Sequence, residues 1–596
     1  MNYKSSFFLV LGILTNSLLT AQPTIIPGGN VSGTWIKSAS PYQVTGDITI
    51  AAGSTLTIEP GVEVIFQGLY SLGVYGSLVS KGTEADSILF YPSDINTGWK
   101  GITLAAVEDS SWITYSSIRY GRKDDGGGIN CTTPKAVISH CTISDNIATG
   151  FGGGISINTG MTNPAPQISN CVISRNSGRY GGGVYYASES MIISECIISN
   201  NSAADLTNNA NGGGIYFGLG YSSDININNC IIQNNSCDID QNASTSGGGL
   251  GGGIYIIGQH IGGVSISNCE ILTNWSTRSG GGIYVNLGGC VITDCTLRGN
   301  FTKPCTPDGN GVLGGGAISF SGLTNNSVIS HCEFSENSSY GYPGGAIRAS
   351  YGINASLTLE NCTLTRNYSS IGAGAIYFDG SLILRNTIVA FNQGSLAIYA
   401  ASPDFSFCDF YGNEGSDGEA TTTNANGDPC DVYSNIFLDP MFADTANSNY
   451  QITWTSFPTS GITKSPCIDA GDPALPNDPD GTVADIGRYY FNQDIPTYIE
   501  PDHSKSYEGY ILYQAYPNPF QSITSIAFDL PEMSDVTLLI YNNLGKVVLE
   551  KIYGKLFPGR YEYRWNAVTM PAGIYFYRLR TDKYDITKKM ILLRKN

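Results

Sequence analysis

Charge is scarce in this chain. Only 13% of the residues are Asp, Glu, Lys or Arg, and four are histidine. So little charge argues against helices with solvated faces and suits stacked strands better. Basic residues are the scarcer sign: 31 Lys and Arg stand against 49 Asp and Glu, a net charge of −18. A phosphate backbone needs a basic surface, so nucleic acid is excluded as a partner. Long hydrophobic runs are also missing. Beyond the N-terminus no apolar segment approaches the ~20 residues that cross a bilayer, so no transmembrane span is expected. The one early run, Phe7 to Leu14, follows Lys4 and leads to Leu19-Thr20-Ala21. That is the layout of a signal peptide over 1–21, cleaved before Gln22, and it predicts export.

Glycine and tyrosine are abundant instead, with 73 and 37 residues. At 596 residues the chain is too long for one compact core, so several domains or a solenoid are expected. A repeat decides between them. The pattern Ile-x-x-Cys-x-Ile-x-x-Asn recurs with Cys141, Cys171, Cys196, Cys230, Cys269, Cys295, Cys332 and Cys362. The paired asparagines are Asn146, Asn176, Asn201, Asn235, Asn274, Asn300, Asn337 and Asn367. Degenerate copies centre on Ser116, Thr387 and Cys408. Between copies lies a glycine run such as Gly152-Gly153-Gly154-Ile155 or Gly280-Gly281-Gly282-Ile283, and the period varies from about 25 to 39 residues.

Self-similarity of this length denotes a solenoid. Alternation with period two and the Ile/Val content select strands over helices. Each turn is predicted to hold three strands: one at the glycine run, one before the cysteine, one at Cys-x-Ile. Turns stack about 4.8 Å apart, so equivalent side chains form columns. The cysteines read as an interior column of free thiols, because in-register side chains point the same way. The asparagines read as a turn position that tolerates left-handed backbone and bonds between turns. A phosphate-cradling role for the glycines is disfavoured, since no helix follows them.

These repeats, over about 120–413, resemble the polymorphic outer-membrane-protein repeat and bacterial right-handed β-helix proteins. The resemblance implies an all-β, right-handed single-stranded parallel β-helix like that of pectate lyases. The segments Leu56-Thr57-Ile58-Glu59-Pro60-Gly61-Val62 and Gly98-Trp99-Lys100-Gly101-Ile102 resemble capping turns, placing the cap at 28–121 and the repeats at 122–413. The stretch 414–491, with Asp439-Pro440-Met441-Phe442 and Ser465-Pro466-Cys467, resembles the segment that closes such helices. A cap is physically required, because an open end exposes strand edges and core.

Residues 492–510 are polar and read as a linker. Residues 511–596 hold 12 Lys/Arg against 7 Asp/Glu, a charge of +5 that leaves −23 for the rest. Short apolar strands there predict a small Ig-like β-sandwich. Pro517-Asn518-Pro519, the run from Gly573 and the pair Lys588-Lys589 resemble the type A sorting domain of type IX secretion. That resemblance implies the secretion machinery as partner, removal of the domain, and release or attachment to surface lipopolysaccharide. An ordinary terminal Ig-like domain would carry the same basic tail.

Three functions remain open: an adhesin or glycan-binding scaffold, a polysaccharide lyase or glycosidase, and a passive spacer. The solenoid is poor in catalytic groups; between 124 and 491 its lysines are Lys135, Lys303 and Lys464. This leans the reading toward binding of an extracellular polysaccharide or a host matrix surface. Three connections are long, 202–211, 236–250 and 301–313, and flank the short one at 275–279. They outline a groove with Trp275 and Arg278 as floor and Asp238, Asp240 and Asp308 in its walls, suited to sugar stacking. The alternative is a tryptophan packed beneath the loops. Asp478, Asp480 and Asp485 offer oxygen ligands for calcium, or form a structural turn. No other cofactor is implied.

Overall fold

The computed structural model describes residues 22–593, leaving out 107–108, 161–165, 206–209, 219–223, 240–248, 258–262, 304–313, 324–325, 351–354, 458–461, 494–496, 500–508, 568–569 and single positions 189, 287, 416, 456, 522 and 557. The signal-peptide segment 1–21 therefore lies outside the described residues. The chain forms two compact units, Met1–Phe491 and Asn492–Asn596.

The first unit is a parallel β-helix. Winding begins at Thr24–Ile26, which pairs in parallel with Tyr42–Val44, so the coil starts before residue 28. Among the described residues the strands gather into long sheets of 15, 26 and 9. The 15-stranded sheet collects the Cys-x-Ile segments, from Thr142–Ser144 through Val172–Ser174 and Ile197–Ser199 to Asp409–Tyr411. The 26-stranded sheet takes two strands per turn, such as Ile155–Gly160 after the glycines and Gln167–Ser169 before the cysteine. The nine-stranded sheet adds a fourth strand per turn that the sequence reading lacks, just after the asparagine: Ile147–Ala148, Ser177–Gly178, Ser202–Asp205. Seven of the nine are two residues long, too short to display a period.

Register is kept along the stack. Ile143 lies beside Ile173, followed by Ile198, Ile232, Ile271, Leu297, Phe334 and Leu364. All are buried. Each such side chain stabilises by about 1.5–3 kcal/mol when fully buried. A one-residue slip would turn the whole column to solvent, so pattern and register enforce each other.

The asparagines form a continuous hydrogen-bonded column. Asn146 Nδ2 donates to Asn176 Oδ1 at 2.9 Å, and the same bond recurs from Asn176 to Asn201 and Asn201 to Asn235 at 3.0 Å. It continues through Asn274, Asn300, Asn337, Asn367 and Asn392 to Asn413. The second Nδ2 proton goes to a carbonyl of the preceding turn, as from Asn235 to Ile198 O at 2.8 Å. Each Oδ1 also accepts a backbone N–H, as from Asn201 to Asn235 at 3.0 Å. Every polar atom of these buried amides is satisfied, which burial demands.

The left-handed backbone sits one residue earlier than expected. Asp145, Arg175, Asn200, Asn234 and Thr273 have φ between 51° and 62°, each just before a column asparagine. A second left-handed corner precedes each cysteine, at His140, Asn170, Glu195, Asn229 and Asn268. The corner residue turns the chain so that its successor aims into the stack. Its own side chain points away, which is why such different residues occupy it.

All described cysteines are free and buried. They are more polar in role than a soft apolar column: Cys196 Sγ accepts the Cys171 N–H at 3.4 Å and donates to Ser194 O at 3.2 Å. Thr387 takes over the same duty where the cysteines lapse, accepting the Cys362 N–H at 3.4 Å. The glycine runs mark the tightest approach. A Cβ on Gly182 would lie 2.3 Å from Ser202 O and 2.5 Å from Gly213 O, so no other residue fits there.

The closing segment has its own small core of Cys430, Ile436, Ile452, Cys467, Ile468 and Ile486 against Ile388 and Ala390 of the last turns. It also runs back along the outside of the 15-stranded sheet. Arg488 Nη1 donates to Thr296 Oγ1 at 2.6 Å, and Tyr450 to Glu336 Oε1 at 2.7 Å. At the other end Trp99 is fully buried and stacks on Phe66 at 4.1 Å.

The second unit is a β-sandwich of two four-stranded antiparallel sheets around one core. One sheet contains Ile523–Leu530 and Gly559–Asn566; the other runs Val547–Leu556, Ser534–Asn542, Gly573–Arg580, Asp585–Leu592. Thr497–Ile499, inside the stretch read as a linker, pairs with Gly559–Asn566 and so belongs to the sandwich. Among the described residues no helix is long and apolar enough to cross a membrane.

Candidate functional site

The nine-stranded sheet places the groove residues. Ser236–Ile239, Trp275–Ser276 and Phe301–Thr302 lie side by side in parallel register. Trp275 is half-buried, its ring stacked 6.2 Å from that of Phe301. The Lys303 ammonium sits 3.3 Å from the Trp275 ring centroid, where the negative face of the indole attracts it. Lys303 Nζ also lies 3.8 Å from Asp238 Oδ2, and Thr277 Oγ1 donates to Asp238 Oδ1 at 3.2 Å.

The expected open tryptophan floor is therefore corrected: a cation occupies one face of the ring. Arg278 does not join the floor. It is 5% exposed, its N–H donates to Gly249 O at 3.0 Å, and its charge acts on the Tyr284 phenol. Asp240 and Asp308 lie outside the described residues. Trp275 and Asp238 are brought together, with Lys303 as the link the sequence reading did not assign.

The 26-stranded sheet carries a column of aromatics that the sequence reading does not assign. Tyr185, Tyr216, Tyr255 and Tyr284 follow one another in register on the strand after the glycines. Their ring centroids are separated by 5.3, 4.8 and 5.3 Å, and Phe151 extends the stack at 4.4 Å. Burial pushes the phenols up, so they stay neutral donors. The signal was present: four successive turns carry Tyr immediately after Gly-Gly-Gly-Ile or Gly-Gly-Gly-Val.

The acidic loop near the end of the helix is a turn. Asp485 Oδ1 accepts the Asp469 N–H at 2.7 Å and Oδ2 the Phe491 N–H at 2.6 Å. Asp478 Oδ2 accepts the Asp485 N–H at 2.9 Å, and Asp480 Oδ1 the Thr482 hydroxyl at 2.7 Å. Burial pushes Asp485 up to about 8 and Asp478 to about 6. Among the described residues no three His, Cys, Asp or Glu gather to hold a metal ion. Four of the six carboxylate oxygens offered to calcium thus hold the turn together through backbone N–H groups and the Thr482 hydroxyl.

In the sandwich the sorting residues converge. Asn518, between Pro517 and Pro519, accepts the Ile591 N–H on Oδ1 at 2.8 Å, and Phe520 donates to Ile591 O at 3.0 Å. This lays 517–520 along the strand that carries Lys588 and Lys589, while Gly573 opens the neighbouring strand opposite Leu592.

Comparison with known proteins agrees with both units. Residues 45–301 and 252–437 match the family described as right handed beta helix region. Residues 514–593 match the secretion system C-terminal sorting domain. No curated protein and no solved structure matches the chain. Since the helix matches together span more than half of it, the chain belongs to the right-handed β-helix family, with a C-terminal sorting domain that directs it to the cell surface or extracellular space.

Proposed function

We propose that the exported protein binds an extracellular polysaccharide along the side of the helix that carries Trp275, Lys303 and Asp238. The observation behind this reading is the Lys303 ammonium, 3.3 Å from the Trp275 ring and 3.8 Å from Asp238. Lys303 and Asp238 are 35% and 50% exposed, so an ammonium donor and a carboxylate acceptor face solvent beside an aromatic edge. That combination suits sugar hydroxyls and, through Lys303, uronate carboxylates. The rigid stack of hydrogen-bonded turns holds the three groups in fixed register. The sorting domain carries the protein across the outer membrane and is then removed, leaving the helix released or held on surface lipopolysaccharide.

The test measures affinity of the purified protein for a panel of neutral and acidic polysaccharides. Trp275→Ala and Lys303→Ala should each weaken the best ligand about tenfold. Unchanged affinity in both variants for every glycan that binds rejects the site. Growth of ultraviolet absorbance from unsaturated sugar ends in the same mixtures would make the protein a lyase instead. Binding only to host matrix proteins would make it an adhesin.

A further inference from the structure

The sandwich exposes an apolar patch on one sheet that its own core does not explain. Ile540, Tyr575, Tyr577, Met590 and Leu592 point into the core. Their alternate neighbours must then face outward. Val547 lies opposite Tyr541, Tyr541 opposite Phe576, and Ile574 opposite Ile591, so four apolar side chains and the ring of Tyr541 share one outer quadrant. Val547, Ile574 and Phe576 are 43%, 42% and 37% exposed. The rim is mostly basic: Lys589 sits directly across from Phe576 and Lys546 immediately precedes Val547, both exposed, while Arg578 and Glu550 flank Leu539 in the next row.

Contiguous apolar surface with a polar rim marks a contact site. The far corner of the same sheet is more polar, with Thr537, Arg580 and Asp585 side by side and Ile552 opposite Thr537. The patch also adjoins the segment 517–520 that docks on Asp585–Leu592, so the sorting motifs border it. The domain is +5 in a chain otherwise at −23, so whatever captures it specifically must favour its basic surface over the rest.

We infer that this quadrant, centred on Phe576 and Ile574 and rimmed by Lys546 and Lys589, is the face by which a protein of the export machinery captures the domain. The partner surface has apolar centre pockets and an acidic rim. The inference rests on the sorting-domain reading and names the surface that performs it.

The experiment expresses the full chain in a bacterium that has this secretion route and compares surface plus medium with periplasm. The double variant I574S/F576S and the single variant K589E should lower the exported fraction about tenfold and accumulate in the periplasm. I552S changes an apolar residue that is even more exposed, 75%, on the same sheet but outside the quadrant, and should export normally. Lys589 packs on nothing in the core, so K589E keeps the test valid should the double variant misfold. Deletion of 511–596 separates the two ideas. Normal export of the deletion overturns the sorting reading and the inference with it; a block by deletion with normal export of K589E and I574S/F576S overturns the inference alone. Two further results would also overturn it. One is binding of the purified chain to phosphatidylglycerol vesicles that is lost in I574S/F576S, which makes the occupant a lipid surface. The other is sedimentation showing self-association lost in the same variant, which makes it a second copy.

Discussion

The Tyr489 hydroxyl donates to Glu333 Oε2 at 2.7 Å, tying the closing segment to a turn 156 residues earlier in the chain. Glu333 is 1% exposed and also accepts from Arg298 Nη2 at 2.5 Å. The closing segment thus does more than plug the last turn; it braces several turns along their outer side. Tyr489→Phe should remove the donor and leave a buried carboxylate oxygen short of a partner, at a cost of about 1–3 kcal/mol. Hydrogen exchange of the backbone over 436–491 measures it; unchanged protection there would show that the tie contributes nothing.

The amide column makes a sharper prediction. Asn235 gives and receives four hydrogen bonds in full burial. Asn235→Ala would orphan groups in the turns on both sides and should cost about 3 kcal/mol or more. Asn413 is partly exposed at the end of the column, so Asn413→Ala should cost less. Equilibrium denaturation of the two variants checks the order; equal losses would contradict it.

Acid stability follows from Asp409. It is fully buried, with Oδ1 accepting the Leu438 N–H at 3.3 Å and Oδ2 facing the Cys467 thiol at 3.4 Å. Burial pushes its carboxyl well above the usual carboxylate range. A group raised on folding contributes stability that is full below its unfolded pKa, about 3.9, and is lost as pH rises through the folded value. Asp409→Asn keeps the oxygen for Leu438 and removes the charge. The melting temperature of the variant should exceed that of the parent increasingly as pH rises above about 4; parallel pH profiles would refute the assignment.

The thiols should be silent until the helix opens. Burial pushes Cys131 up to about 11 and Cys237 and Cys408 to about 12. The thiolate is the reactive form, so alkylation at neutral pH should label none of them in the folded protein and all of them in denaturant. Labelling of any of the three in native buffer would place that thiol at the surface.

Much of the helix was legible because its determinants are local and repeated. Ile143, Cys141 and Asn146 each perform one task per turn, and the same residue returns wherever the task does. The fourth strand per turn was not legible, since two residues such as Ile147–Ala148 carry no period. The left-handed corners were displaced by one residue because the side chain there points outward, and outward positions such as Asp145, Arg175 and Thr273 share no chemistry. The groove was half legible. Spacing brought Asp238 near Trp275, but the Lys303 contact depends on a long flexible side chain reaching across a turn, which spacing does not fix. The tyrosine stack is written plainly in the sequence, one Tyr per turn at a fixed place after the glycines.

The asparagine column also has a direction. Every Nδ2 donates onward to the following turn, so the amide dipoles line up along the solenoid axis with their positive ends toward the C-terminus. The last of them, on Asn413, meets Asp417: Nδ2 and N–H both donate to one carboxylate oxygen, at 2.8 and 3.2 Å. A carboxylate has no proton to pass on, so the series stops there, and its negative charge faces the positive pole of the aligned dipoles, as an acid does at the start of an α-helix.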